Sequence, residues 1–200
     1  MPTEKPAMIP TPSLDQLSEA AEEADRLVAA VRPGEWDAPT PCADWDVRAL
    51  VGHLTGGNRH LAAALRGGAA GDARNNARVG AEGDDGDAAA AHRASVDDLL
   101  AAARAPGALE RTVSIPFGTV PAALALHLRL TEFLVHGWDV ARATGRPARF
   151  PEPVVEQELA FGRAALAQLP PERRPFAPSQ PVRDDAPAID RLAALLGRRP

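Results

Sequence analysis

Between Pro121 and Gly145 the sequence reads "AALALHLRLTEFLVHGWDVARAT", an apolar stretch that no proline interrupts. With Pro121 placed at the first helical position and Gly145 just past the end, it predicts one helix of about 36 Å at 1.5 Å per residue. Phe133, Leu134, Val135 and Trp138 crowd around Glu132 and His136, leaving little room for a polar face. A carboxylate buried without a partner in such surroundings costs several kcal/mol, so the helix needs neighbours that cover it and something cationic that compensates Glu132.

The remaining segments supply the neighbours. "SLDQLSEAAEEADRLVAAV" opens with a capping-box pattern, Ser13 and Gln16, and repeats Leu14, Leu17, Ala21, Ala24, Val28 and Val31 at helical spacing until Pro33 and Gly34 stop it. "PGEWDAPTPCADW" reads as a rigid connector whose Trp36 and Trp45 pack back on the helices. Asp46 then caps a second helix that ends near Gly67. Residues 67–86, rich in Gly, Ala, Asp and Asn, read as an excursion without periodicity, and a third helix over roughly 87–105 carries Val96, Leu99, Leu100 and Ala103 on one face. "RTVSIPFGTV" suits either a short hairpin or an extended crossover. Beyond the long helix, "EPVVEQELAFGRAALAQL" and "DDAPAIDRLAALLG" predict a fifth helix and a short sixth. The expectation is an all-α fold, a four-helix bundle with short extra helices at the C-terminus. Residues 1–12, with three prolines, form a disordered lead-in, and 13–200 a single domain.

Glu132 and His136 are four residues apart, about one helical turn, which permits them to hold a common ion. Arg129, one turn before Glu132, is the local alternative, a structural ion pair. A divalent metal would need at least a third ligand. His53 is the best donor, set among Leu50, Val51 and Leu54 on the helix expected to face the long one. His60, His92 and His127 rank lower, although His127 could stand behind the ligands. Asp139, three residues after His136, could orient a ligand or pair with Arg142. Gly56 and Gly57, inside the second helix, signal either close packing or a space left open beside the ion. Cys42, the sole cysteine, excludes an internal disulfide and is either a packed hydrophobe, a nucleophile or a further ligand.

These residues carry a resemblance. "PTPCADWDVRALVGHLTGGN" followed by "TEFLVHGWDVARATG" resembles the N-terminal metal-binding domain of mycothiol-dependent maleylpyruvate isomerase and the related metal-binding proteins of actinobacteria, within the DinB-like four-helix bundles. The ending "VRDDAPAIDRLAALLGRRP" is similar to that of short members. The resemblance places the ligand set on His53, Glu132 and His136. It implies a divalent metal, zinc first, with nickel or iron compatible with two histidines and a carboxylate. It implies a thiol, mycothiol, as cosubstrate and a small electrophile as its acceptor. The sequence offers no counterpart of the isomerase's second domain, so thiol transfer to another electrophile is expected over isomerisation of maleylpyruvate.

Charge and hydropathy narrow the rest. The formal net charge is -5, with 22 basic and 27 acidic residues interleaved, so no basic face awaits nucleic acid. No stretch of about 18 apolar residues runs uninterrupted and the N-terminus has no apolar signal segment, so no membrane association and a cytoplasmic location are expected. A homodimer is compatible with base rates. The function expected is that of a thiol-dependent metalloenzyme of transferase or isomerase type, its catalytic residues unassigned. The alternatives are a non-catalytic metal-binding or small-molecule-sensing bundle, and a metal-free bundle in which Arg129 balances Glu132.

Overall fold

The protein, seen in a computed structural model, is described at residues 10–68, 85–115, 118–170, 174 and 176–200. It is mostly helical: α1 (Leu14–Ala29), α2 (Val47–Leu65), α3 (Asp85–Ala103), a hairpin of β1 (Thr112–Ile115) and β2 (Gly118–Pro121), α4 (Ala122–Ala143), α5 (Glu152–Gln168) and α6 (Ala188–Leu195). Most of the expected lead-in of residues 1–12, namely 1–9, and most of the expected excursion, namely 69–84, lie outside the described residues.

Local chemistry sets the helix starts. The Ser13 amide donates to Gln16 Oε1 (2.8 Å) and the Gln16 amide to Ser13 Oγ (3.1 Å), so two donors that the first turn of α1 leaves unpaired are satisfied reciprocally. Asp46 accepts from the Ala49 amide at 2.8 Å and caps α2. Pro121 belongs to β2 and stands at the cap of α4, one position earlier than the sequence suggests. The Ala122 amide can then donate to the Arg111 carbonyl at 2.9 Å, which ties the helix start to the residue before β1. Gly145 closes the same helix at φ +65°, a conformation that side chains disfavour.

Packing follows the apolar stripes. α1 buries Leu17, Ala20, Ala24, Leu27 and Val28 against α3 and α4, and α2 packs on α3 and α4, so α4 is covered from two sides. Val96, Leu99, Leu100 and Ala103 of α3 are all buried, as their spacing predicts. The segment left open between hairpin and crossover is an antiparallel hairpin, with Val113 opposite Val120, resting on α2 and α4. His60 donates from Nε2 to the Ser114 carbonyl (3.1 Å) and fastens it. Of the two helices beyond α4, α5 runs 17 residues and only α6 is short, at eight; both cover the remaining side of α4. No described helix is long and apolar enough to cross a membrane.

His92 lies fully buried between α2 and α3, its Nδ1 3.4 Å from Thr55 Oγ1 and its Nε2 without a partner among the described residues. Burial first, then the charges of Arg129 and Arg93, push its pKa down to about 3. The unfolded chain takes up this proton near the ordinary value of 6.5, so below that pH the unfolded state binds more protons and stability falls until the pH reaches about 3. Between about pH 7 and about pH 5 the loss is about 2 kcal/mol. Urea midpoints across this range should show that slope in the wild type, and His92→Gln should flatten it.

Candidate metal centre

α4 and α2 bring the three predicted ligands together. His53 projects from the middle of α2, and Glu132 and His136 from successive turns of α4. One ligand atom from each lies within 4.8 Å of the other two. His53 Nε2 donates to Glu132 Oε2 at 2.6 Å, while His136 Nε2 stands 3.7 Å from the same oxygen. Trp45, at the end of the connector, lies over His53 with ring centroids 4.5 Å apart and reaches His136 at 5.6 Å, so it fixes both imidazoles.

Protons can be placed on this frame. Burial drives the Glu132 carboxyl up, but the His53 hydrogen bond and the charge of Arg129 outweigh it and hold Glu132 well below the usual carboxylate range. It is therefore ionised. Burial lowers the pKa of His136 against the opposing pull of Asp139 and Glu132, so its ring is neutral. Its single proton sits on Nδ1, which donates to Asp139 Oδ2 at 2.9 Å. Nε2 is left as a lone pair beside a carboxylate oxygen. Two acceptors 3.7 Å apart with no proton between them repel, and a cation relieves that repulsion. The donor set, two imidazoles and a carboxylate with a carboxylate behind one imidazole, suits a divalent ion with open positions.

Arg129, expected as the alternative partner of Glu132, reaches Glu132 Oε2 only at 3.4 Å, and its guanidinium lies 4.8 Å over the Phe133 ring. Its Nε has no partner among the described residues. A Cβ on Gly57 would come within 2.0 Å of Arg129 Nη1, so this glycine admits the guanidinium, and the close-packing account of Gly57 holds. Asp139 is fully buried and sits on His136, yet its counter-charge is not Arg142, whose guanidinium lies 5.3 Å over Trp138. Instead Arg198, near the C-terminus, donates from Nη2 to Asp139 Oδ2 (3.0 Å) and from Nε to Oδ1 (3.3 Å). The fold thus strings Arg198, Asp139 and His136 into one chain of bonds.

The other histidines take structural places. His127, which could have stood behind the ligands, pairs through Nδ1 with the fully buried Glu158 of α5 (2.8 Å), which also accepts from Thr131 Oγ1 (3.0 Å). Arg198, Glu158 and the covering role of Trp45 escape a sequence reading; the only signal for Arg198 is that a buried Asp139 demands a cation. Cys42 lies with His136 and Asp139 in a second group whose ligand atoms are within 4.8 Å of one another. Burial raises its pKa, so the thiol stays protonated.

Three of these side chains, His53, Glu132 and His136, open onto a cavity of about 480 Å³ closed on its far side by α5 and the C-terminal segment. Comparison with known proteins agrees with this architecture. The family model described as the mycothiol maleylpyruvate isomerase N-terminal domain matches residues 17–141. Two uncharacterized proteins of Mycobacterium tuberculosis, from two strains, are each 34% identical over 173 residues, which is 86% of this chain and 90% of theirs. Crystal structures of the mycothiol-dependent maleylpyruvate isomerase and of its histidine-to-alanine mutant superpose with TM-scores of 0.60 and 0.63 at 22% and 21% identity. Each covers 76% of this chain and 70% of the isomerase chain, and the likeness is one of fold.

Asp139→Asn should leave the buried Arg198 guanidinium without its counter-charge and cost about 3–5 kcal/mol in chemical denaturation. Arg142→Ala, which touches no carboxylate of the centre, should cost far less. Equal losses would show that Arg198 is not the partner that matters.

Proposed function

Because the chain belongs to the mycothiol maleylpyruvate isomerase N-terminal domain family, we propose that it is a thiol-dependent metalloprotein that brings a low-molecular-weight thiol, mycothiol, to a small electrophile. One observation carries the reading: the neutral His136 presents an unprotonated Nε2 beside the ionised Glu132, with His53 2.6 Å from the same carboxylate oxygen, all three lining one cavity. On this reading His53, Glu132 and His136 hold a divalent ion, zinc first among candidates. A divalent cation so held lowers the pKa of a thiol that reaches it and makes the thiolate available at neutral pH.

The chain's own residues then have distinct tasks. His53 must give up the Nε2 proton that it shares with Glu132. Asp139, held by Arg198, keeps the His136 proton on Nδ1 and so keeps Nε2 free. Arg129, which is not among the residues lining the cavity, offsets part of the Glu132 charge. Trp45 covers the imidazoles and limits water. The same reading takes α1, α2, α3 and α4 as the four-helix bundle of a DinB-like domain spanning residues 13–200, with Arg198 returning to it near the C-terminus. The competing reading, an ion-free protein in which Arg129 balances Glu132, draws on the 3.4 Å contact between them, but that contact leaves the His136 lone pair unaccounted for.

With Co(II) in the centre, added mycothiol should produce a near-ultraviolet sulfur-to-metal charge-transfer band. His136→Ala should remove the band, whereas Cys42→Ser should leave it if the sulfur comes from the cosubstrate. No band with mycothiol or any other cellular thiol would overturn the thiol reading.

A further inference from the structure

The cavity has two unlike halves. One end carries the ionisable groups, from α2, α4 and the connector, with Arg198 reaching Asp139 there from the C-terminal segment. The other is built by α5 and the C-terminal segment, outside the stretch that matches the family, and it is apolar: Phe161, Ala165 and Leu166 from α5, Leu169 just past its end, and Phe176 and Leu196. The chain has only eight aromatic residues, three Trp and five Phe, and three of them, Trp45, Phe161 and Phe176, line this one space. Phe161 is fixed in place, its ring stacked on His127 at 4.2 Å and 7°, and His127 is itself anchored by Glu158.

Charge points the same way. Among the described lining residues Arg198 is the one arginine or lysine; it is 6% exposed and already spends three donors, two on Asp139 and one, from Nη1, on the Leu196 carbonyl at 2.8 Å. Asp44 adds a carboxylate to the wall. An anionic molecule seated against Phe161, Ala165 and Leu166 would lose its water with no cationic side chain free among the described residues lining that space, which is costly; Arg163 and Arg174 line an adjoining recess that shares Leu166, Phe176 and Ala177, and Arg174 is turned to the Leu169 carbonyl at 3.2 Å. An uncharged one loses nothing of the kind and gains apolar burial, as ordinary ligand pockets provide.

We infer that the apolar half of the cavity is the binding site of the second substrate, and that this substrate is an uncharged molecule bearing an aromatic or similarly flat apolar group, not a dicarboxylate. The inference rests on the thiol reading above, since it assigns to the electrophile the space that the thiol and the ion leave. α5 and the C-terminal segment, not the family-matched helices, then set specificity. Leu169, 38% exposed, stands at the rim where such a molecule would enter.

The test uses the full-length, zinc-loaded protein and the neutral fluorophore N-phenyl-1-naphthylamine, whose emission rises in apolar surroundings. It should bind with one site per chain. Ala165→Trp, which fills the apolar half, should weaken binding at least about tenfold, as 1.4 kcal/mol corresponds to tenfold, while zinc content stays unchanged. Leu169→Lys, at an exposed position where folding is not at stake, should weaken the neutral probe and give maleate measurable affinity. Maleate should not displace the probe from the wild type. The inference is overturned if the probe fails to bind, if both variants bind it as the wild type does, or if maleate competes at equal concentration. The Co(II) thiol band separates the two proposals: probe binding lost with the band intact sinks only this one, and a missing band with probe binding intact sinks the thiol reading and, with it, the assignment of the apolar site to a second substrate, while the site itself stands.

Discussion

A half-buried carboxylate, Glu132 of α4, must stay ionised beside Phe133, Leu134 and Val135, and the rest of the site is arranged around that demand. Burial pushes its carboxyl up. The His53 hydrogen bond and the positive field of Arg129 reverse the outcome, but neither uses the lone pair that His136 turns toward the same oxygen. A centre with one acceptor too many is the physical reason to assign a cation there. The apolar helix surface is what makes the arrangement costly to assemble by chance.

The scaffold serves that centre over long distances. α1 and α3 supply none of the proposed ligands, yet they close the core against which α2 and α4 hold His53, Glu132 and His136 in register. α6 is tied to α4 by Trp138, which donates from Nε1 to Asp190 at 2.8 Å, and the turn after α6 delivers Arg198 to Asp139. Removing the C-terminal residues would therefore reach the orientation of an imidazole on α4, because the Arg198–Asp139–His136 chain is continuous. The same segment walls the cavity, so positioning of the centre and the shape of the space beside it depend on one element.

Much of this was legible in the sequence because it is local. The capping pair Ser13 and Gln16, the cap Asp46 and the stop at Gly145 each work within a few residues, and the three histidine and glutamate positions stand out by the cost of burying them in apolar runs. What could not be read is set by distance. Arg198 lies 59 residues from Asp139, and Glu158 lies 31 from His127, so no spacing announces either pair. Arg142, near in sequence, was an equal candidate for Asp139 until the helix turned it onto Trp138. Gly57 is compatible in sequence with close packing or with a space beside the ion, and Arg129 decides for packing by filling that space. Pro121 was placed one residue late because "RTVSIPFGTV" fits a crossover as well as a hairpin, and only the pairing of Thr112 with Pro121 decides between them.

The central claim is that His53, Glu132 and His136 share one divalent ion, and elemental analysis of the protein purified without a histidine tag tests it most directly. The wild type should carry about one ion per chain. His53→Ala and His136→Ala should carry none while remaining helical, and Glu132→Gln should carry less, because removing one of three ligands costs most of the affinity. His60→Ala and His92→Ala should retain the ion. A wild type without stoichiometric metal after reconstitution, or loss of metal at His60 or His92 equal to that at His53, would contradict the account.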